Sequence, residues 1–181
     1  MNHELQQRLK LLVAYAVAGL IFSVLVTVST NLVADSLNLT FPSSIGGIVA
    51  SAVSGNAVAF GMIFVATAIT GVYIWLFGFV GAKVKTKIVG GSATLQKRPH
   101  VLGFFLVGAL GVIVFGIIDE AIAPFGASSD ALALVDDVMN LQIIAVVIKV
   151  VSFAVIGSVA IWLGTKFHVV ESILPEKVKV I

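Results

Sequence analysis

Lys149 stands inside an apolar run, Leu141 to Phe167 (LQIIAVVIKVVSFAVIGSVAIWLGTKF), where it is the only charge before Lys166. A lysine at that depth in a membrane costs roughly 2.5–3.5 kcal/mol on insertion scales, so it demands a counter-ion, a wet cavity or a route to the surface. The acids placed to answer it are the adjacent Asp119 and Glu120, near the end of the preceding apolar stretch. An ammonium and carboxylates held in a membrane can carry protons or ions, or bind a charged group. The same set can serve as a static ion pair that fixes helix register. On a helix the two acids point about 100° apart, so only one can share the direction of Lys149.

Little else in the chain suggests chemistry. It has no cysteine, which excludes disulfides, thiolate catalysis and Cys-ligated metal or iron–sulfur clusters. His3, His100 and His168 all fall at the edges of apolar stretches and lack metal-ligand spacing. No phosphate-binding, dinucleotide-binding, nucleophile-elbow or zinc-protease motif is present. No enzyme activity and no cofactor are expected. Asn38-Leu39-Thr40 is a glycosylation sequon, too short and too close to an apolar run to carry an argument.

The elements that must position these residues are membrane spans. Of 181 residues, 59% are hydrophobic and 11% charged, against about 25% charged in soluble domains. Mean hydropathy is +1.14. Four stretches reach the ~20 apolar residues that a crossing needs: Leu9–Val33, Asn56–Ala82, His100–Pro124 and Leu141–Thr165. The first is longer than a signal-peptide core and lacks a good cleavage site, so it reads as a span. The expected fold is all-α: a polytopic membrane protein of four transmembrane helices forming a single membrane domain, 1–181.

Basic residues predict orientation. Lys83, Lys85, Lys87, Lys97 and Arg98 lie between spans two and three, Arg8 and Lys10 before span one, and Lys166, Lys177 and Lys179 after span four. The other two loops hold Asp35, Asp130, Asp136 and Asp137 without Lys or Arg. Both termini are therefore expected in the cytoplasm, with the protein integral to the cell membrane. Trp75 and Trp162 then fall near the cytoplasmic interface. A basic stripe with interleaved aromatics is missing, so nucleic acid is not an expected partner.

The chain resembles itself. RLKLLVAYAVAG (Arg8–Gly19) parallels KRPHVLGFFLVG (Lys97–Gly108), Ala34 matches Ala123, and each half ends in Ile-Trp-Leu, at 74–76 and 161–163. These matches predict two tandem helical hairpins, 8–83 and 97–166, sharing one orientation about an axis along the membrane normal. Thr30 and Asn31 then take the places of Asp119 and Glu120, and Met62 that of Lys149. Each outer loop is expected to hold a short interfacial helix: Ser129–Met139 in the second half, and Ser44–Val53 in the first, weakened by Gly46 and Gly47. A structured or re-entrant loop is the alternative.

Between helices in lipid, small and weakly polar residues mark the contact faces. Such residues recur at helical spacing: Gly19, Ser23, Thr27 and Thr30 in span one, Gly108, Gly111, Gly116 and Asp119 in span three, Lys149 and Ser152 in span four. Two functions follow as expectations. One is a non-catalytic membrane subunit or scaffold, packed against the lipid bilayer, other membrane protein subunits or copies of itself. The other is a small oligomeric transporter or channel for an ion, a proton or a solute, using Asp119, Glu120 and Lys149.

Overall fold

A computed structural model describes residues 3–40, 42, 44–89, 94–95, 101–126 and 137–170. The fold is all-α, a membrane bundle in which the described residues form four long helices and one short one: α1 His3–Ser36, α2 Ile45–Val53, α3 Ala57–Val89, α4 Val101–Gly126 and α5 Asp137–His168. The long helices have the length and apolarity to cross a membrane. With 34 residues, α1 is about 51 Å long at 1.5 Å per residue, well beyond the ~30 Å hydrocarbon layer.

The helices outrun the apolar runs that announce them. Lys83, Lys85 and Lys87, read as part of a connection, lie in the last turns of α3. Lysine is a good helix former, and nothing stops a helix at the edge of its apolar part. Lys83 turns its ammonium back over the Phe79 ring, 4.4 Å from the centroid, and Thr86 Oγ1 donates to the Lys83 carbonyl at 2.8 Å. Beyond this helix, Thr94 and Leu95 pair antiparallel with Val170 and Val169, joining the α3–α4 connection to the end of α5.

The helices α3 and α5 pack together at the centre, and α1 and α4 each pack on both of them without substantial contact with one another. We call the end where α1 begins and α5 ends proximal, and the other end distal. Glycines set the approach of the long helices. A Cβ on Gly19 would lie 2.8 Å from the carbonyl oxygen of Ala154 in α5, and one on Gly157 would lie 2.5 Å from the carbonyl carbon of Gly19. Gly108 of α4 sits against α3, where its Cβ would meet the Thr67 oxygen at 2.7 Å and the Gly71 nitrogen at 3.1 Å. At the centre, a Cβ on Gly78 would lie 2.6 Å from the backbone of Gly164. Real Cβ atoms do not approach backbone this closely, so each crossing requires the glycine.

Around these crossings lies a core of Phe22, Val26, Ile74, Val112, Phe115 and Ile161, all at most 2% exposed. Phe115 meets Phe153 edge to face at 5.3 Å between centroids, a preferred aromatic geometry. Several hydroxyls between the helices donate to backbone carbonyls. Ser23 Oγ donates across helices to the Phe153 carbonyl at 2.8 Å, Ser158 Oγ to that of Tyr15 at 3.0 Å, and Thr70 Oγ1 to its own helix at Ala66 at 2.7 Å.

Of the two short distal helices expected, the first is present as α2. Ser44 is its N-cap, its side chain accepting from the Gly47 amide at 3.1 Å. This cap offsets the low propensity of the paired glycines. The second, expected over 129–139, lies mostly outside the described residues; its last three, Asp137–Met139, are already the first turn of α5.

Candidate functional site

At the distal end, three elements converge on one carboxylate. α4 presents Asp119, whose side chain is 14% exposed, and α5 presents Lys149, 43% exposed. Lys149 Nζ donates to Asp119 Oδ1 at 2.5 Å. The other oxygen, Oδ2, faces the N-terminus of α2 and accepts from the Gly46 amide at 3.4 Å. That distance is long for a hydrogen bond, so the attraction owes more to the partial positive charge of the helix end than to a directed bond. Asp119 thus neutralises a lysine and caps a helix at once, tying α2, α4 and α5 together.

The local sequence explains how α2 comes so near. A Cβ on Gly46 would lie 2.8 Å from Asp119 Cβ and 3.1 Å from Glu120 Oε1. One on Gly47 would strike Pro42, its carbonyl oxygen at 2.8 Å. One on Gly116 would meet Val49 Cβ at 2.9 Å, so the same helix is seated by a second glycine on α4. The pair that weakens α2 as a helix is what lets it dock. Gly46→Val is therefore expected to lift the start of α2 off α4 even though valine is no worse a helix former than glycine. Amide exchange of residues 45–48 should rise at least tenfold while that of α1 stays unchanged; equal protection in the two proteins would rule out the close approach.

Glu120 is exposed and takes no part in the pair. The other residues singled out by spacing lie on helix contacts. Gly19 and Ser23 touch α5 and Gly108 touches α3. Gly111 is nearest Thr70 of α3, at 3.5 Å from where its Cβ would be, while Gly116 faces α2. Thr27 carries a buried hydroxyl, and Ser152 is half-buried beside the core residue Phe153.

The first half has no charge at the matching places. Thr30 is fully buried, and its hydroxyl finds no hydrogen-bond partner among the described residues. Met62, 3% exposed, packs with Ala34 and Ile48 in a small apolar cluster beneath α2. The second half looks different. Ile144, Val146, Val147, Ile148, Val150 and Val151 of α5 are all between 45% and 61% exposed. Residues 146–148 alone sweep about 200° of the helix, so this stretch stands clear of the bundle on most sides. Lys149, within this stretch, ties it to α4 through Asp119.

One proximal residue was missed by sequence reasoning. His168 is 4% exposed, its Nε2 lies 2.9 Å from the Trp75 carbonyl oxygen, and its ring packs against Phe104 and Phe79. It is enclosed by aromatics rather than lying loose at the membrane edge. Nothing in the spacing distinguishes the two, because a histidine at the end of a span suits either. Among the described residues, no group of three His, Asp or Glu side chains is gathered closely enough to hold a metal ion.

Chemically, the distal site is a closed pair. The carboxylate is occupied on both oxygens, and the half-exposed ammonium keeps donors directed away from Asp119. No family model, curated protein or solved structure matches the chain.

Proposed function

We propose that this protein is a non-catalytic integral membrane subunit or scaffold, with both termini in the cytoplasm, that packs against larger membrane partners. The interior carries this reading. Where the long helices cross, backbone meets backbone at Gly19–Gly157, Gly71–Gly108 and Gly78–Gly164. Between the helices the hydroxyls of Ser23, Ser158, Thr70 and Thr165 donate to carbonyls. A solute path needs polar groups turned toward a lumen, and these are turned toward helix backbone. The exposed distal half of α5 supplies the complementary feature, an apolar surface that a neighbour can cover. A partner acceptor meeting Lys149 there would relieve the cost of an ammonium that is only partly sheltered.

The transporter reading draws on a single observation: Lys149 and Glu120 are both accessible at the same end, so the pair could open. Site-specific photocrosslinking from position 147 in native membranes separates the two. The expected result is one heterologous product that co-migrates at fixed stoichiometry with the gently extracted protein. A homo-oligomer alone, with ion flux in proteoliposomes abolished by Lys149→Met, would overturn the subunit reading.

A further inference from the structure

Two grooves open toward the membrane near the proximal end, one between α1 and α5 and one between α3 and α4. Their volumes are about 500 Å³ and about 360 Å³, within the range of ligand sites. Both walls are almost wholly apolar. Seven residues that line the first correspond to the seven that line the second under the offsets of the internal repeat. On the first helix of each hairpin, Leu12, Tyr15 and Ala16 of one groove stand where Val101, Phe104 and Phe105 stand in the other, each 89 positions on. On the second helix, Val155, Ser158, Val159 and Trp162 answer to Ala68, Gly71, Val72 and Trp75, each 87 positions back.

The contacts beneath the grooves correspond as well. Ser158 bonds the carbonyl of Tyr15, and its counterpart Gly71 is pressed against the carbonyl of Phe104, where a Cβ would stand 3.3 Å away. Tyr15 lies over Gly81, 3.2 Å from where that residue's Cβ would be. Phe104 correspondingly packs on His168, which is the residue 87 positions after Gly81. Exchanging α1 with α4 and α3 with α5 relates these pairs. Each groove is thus built by the first helix of one hairpin and the second helix of the other.

We propose that the two grooves are paired sites for phospholipid acyl chains, generated by an internal duplication, and that the α1–α5 groove selects an anionic headgroup. The occupant follows from where the grooves lie and what rims them. They face the membrane along most of their length: Leu12, Val155 and Val159 are between 50% and 66% exposed. A tryptophan, the residue that settles at headgroup level, marks the proximal part of each. At the α1–α5 groove Arg8 forms part of the rim, and Lys166 holds its ammonium 4.0 Å from the centroid of the groove residue Trp162. Two cations at the headgroup end of an apolar slot complement a lipid phosphate. The residues that precede the second groove, including Lys97 and Arg98, lie outside the described part, so the headgroup preference is assigned to the first groove alone. Position 16 is alanine where the other groove has Phe105, which leaves more room there in the first. The proposal stands independently of the subunit reading, since either a subunit or a transporter can hold lipid.

Native mass spectrometry of the delipidated full-length protein tests it, with phosphatidylglycerol and phosphatidylcholine of identical chains as probes. Wild type should retain two lipids and prefer phosphatidylglycerol at least tenfold at one site. Ala16→Trp should lose that site and keep the other, and Ala68→Trp the reverse. Leu12→Trp, which fills the first groove from its exposed rim, serves if Ala16→Trp fails to fold. Arg8→Gln with Lys166→Gln should retain two lipids but lose the preference. Unchanged lipid counts in the tryptophan variants would overturn the proposal. So would a wild-type dimer that Ala16→Trp dissociates, because a second copy would then fill the groove.

Discussion

Gly157→Leu should be strongly destabilised, whereas Gly61→Leu should be tolerated. Both residues are in long helices, and in both places leucine improves intrinsic helix propensity by up to about 1 kcal/mol. They differ in what a side chain would meet. Around Gly61 nothing lies within 4 Å of a new Cβ, while at Gly157 the Cβ would fall 2.5 Å from the Gly19 carbonyl carbon and 2.6 Å from its Cα. A side chain can rotate out of the way, but a backbone in a helix cannot, so α1 and α5 must part. Parting them breaks the bonds from Ser23 to Phe153 and from Ser158 to Tyr15, each worth about 0.6 kcal/mol by membrane-protein measurements. It also strips packing from Phe22 and Phe153. Overpacking alone costs about 1–3 kcal/mol where side chains can yield, so a total near 4 kcal/mol is expected. Unfolding by denaturing detergent in mixed micelles reads this directly. Gly157→Leu should unfold at the lowest detergent fractions, and Gly61→Leu should follow wild type. Equal curves would mean that the two helices do not cross at these glycines.

How much of this was legible beforehand depends on what each feature is made of. Span number and helix type follow from runs of apolar residues, and they are coarse enough to survive errors of several residues. The helix ends did not follow, because Lys83 to Lys87 are polar and helical together, and hydropathy marks the membrane rather than the hydrogen-bond ladder. The glycines at 19, 108, 111 and 116 could be nominated by spacing, since only small residues admit a neighbouring backbone. Their partners could not, because a stripe says which face is used and not which helix meets it. The α2 glycines carried the opposite lesson. Gly46 and Gly47 lower helix propensity when α2 is considered alone, yet they permit the approach to Asp119 and Pro42. Local preference and tertiary fit disagree here, and the Ser44 cap reconciles them. The ion pair was accessible to reasoning from electrostatic cost. The second role of Asp119, at the end of α2, was not, because it depends on a helix folding back onto α4.

Removing Asp119 should cost more than removing Lys149, and removing both should cost less than the sum. Lys149→Met leaves the carboxylate with the Gly46 amide and the positive end of α2, so part of its compensation survives. Asp119→Leu leaves an ammonium without its counter-ion, the positive end of α2 without a facing carboxylate, and the distal half of α5 without its ion pair. Breaking a fully buried pair costs about 3–5 kcal/mol. With Lys149 43% exposed, its stem can carry the charge outward, so about 3 kcal/mol is expected for Asp119→Leu and about 2 kcal/mol for Lys149→Met. The double variant should fall near 3 kcal/mol, a coupling of about 2 kcal/mol, because the second change removes the charge that the first stranded. Amide exchange adds a readout that stability alone lacks. Asp119→Leu should expose the amides of Gly46, Gly47 and Ile48, and Lys149→Met should leave them protected while loosening residues 143–151. If the two substitutions add without coupling, Asp119 and Lys149 are not paired in the folded protein. If they couple but exchange at α2 is untouched by Asp119→Leu, the carboxylate serves the lysine alone and α2 is held by its glycine contacts.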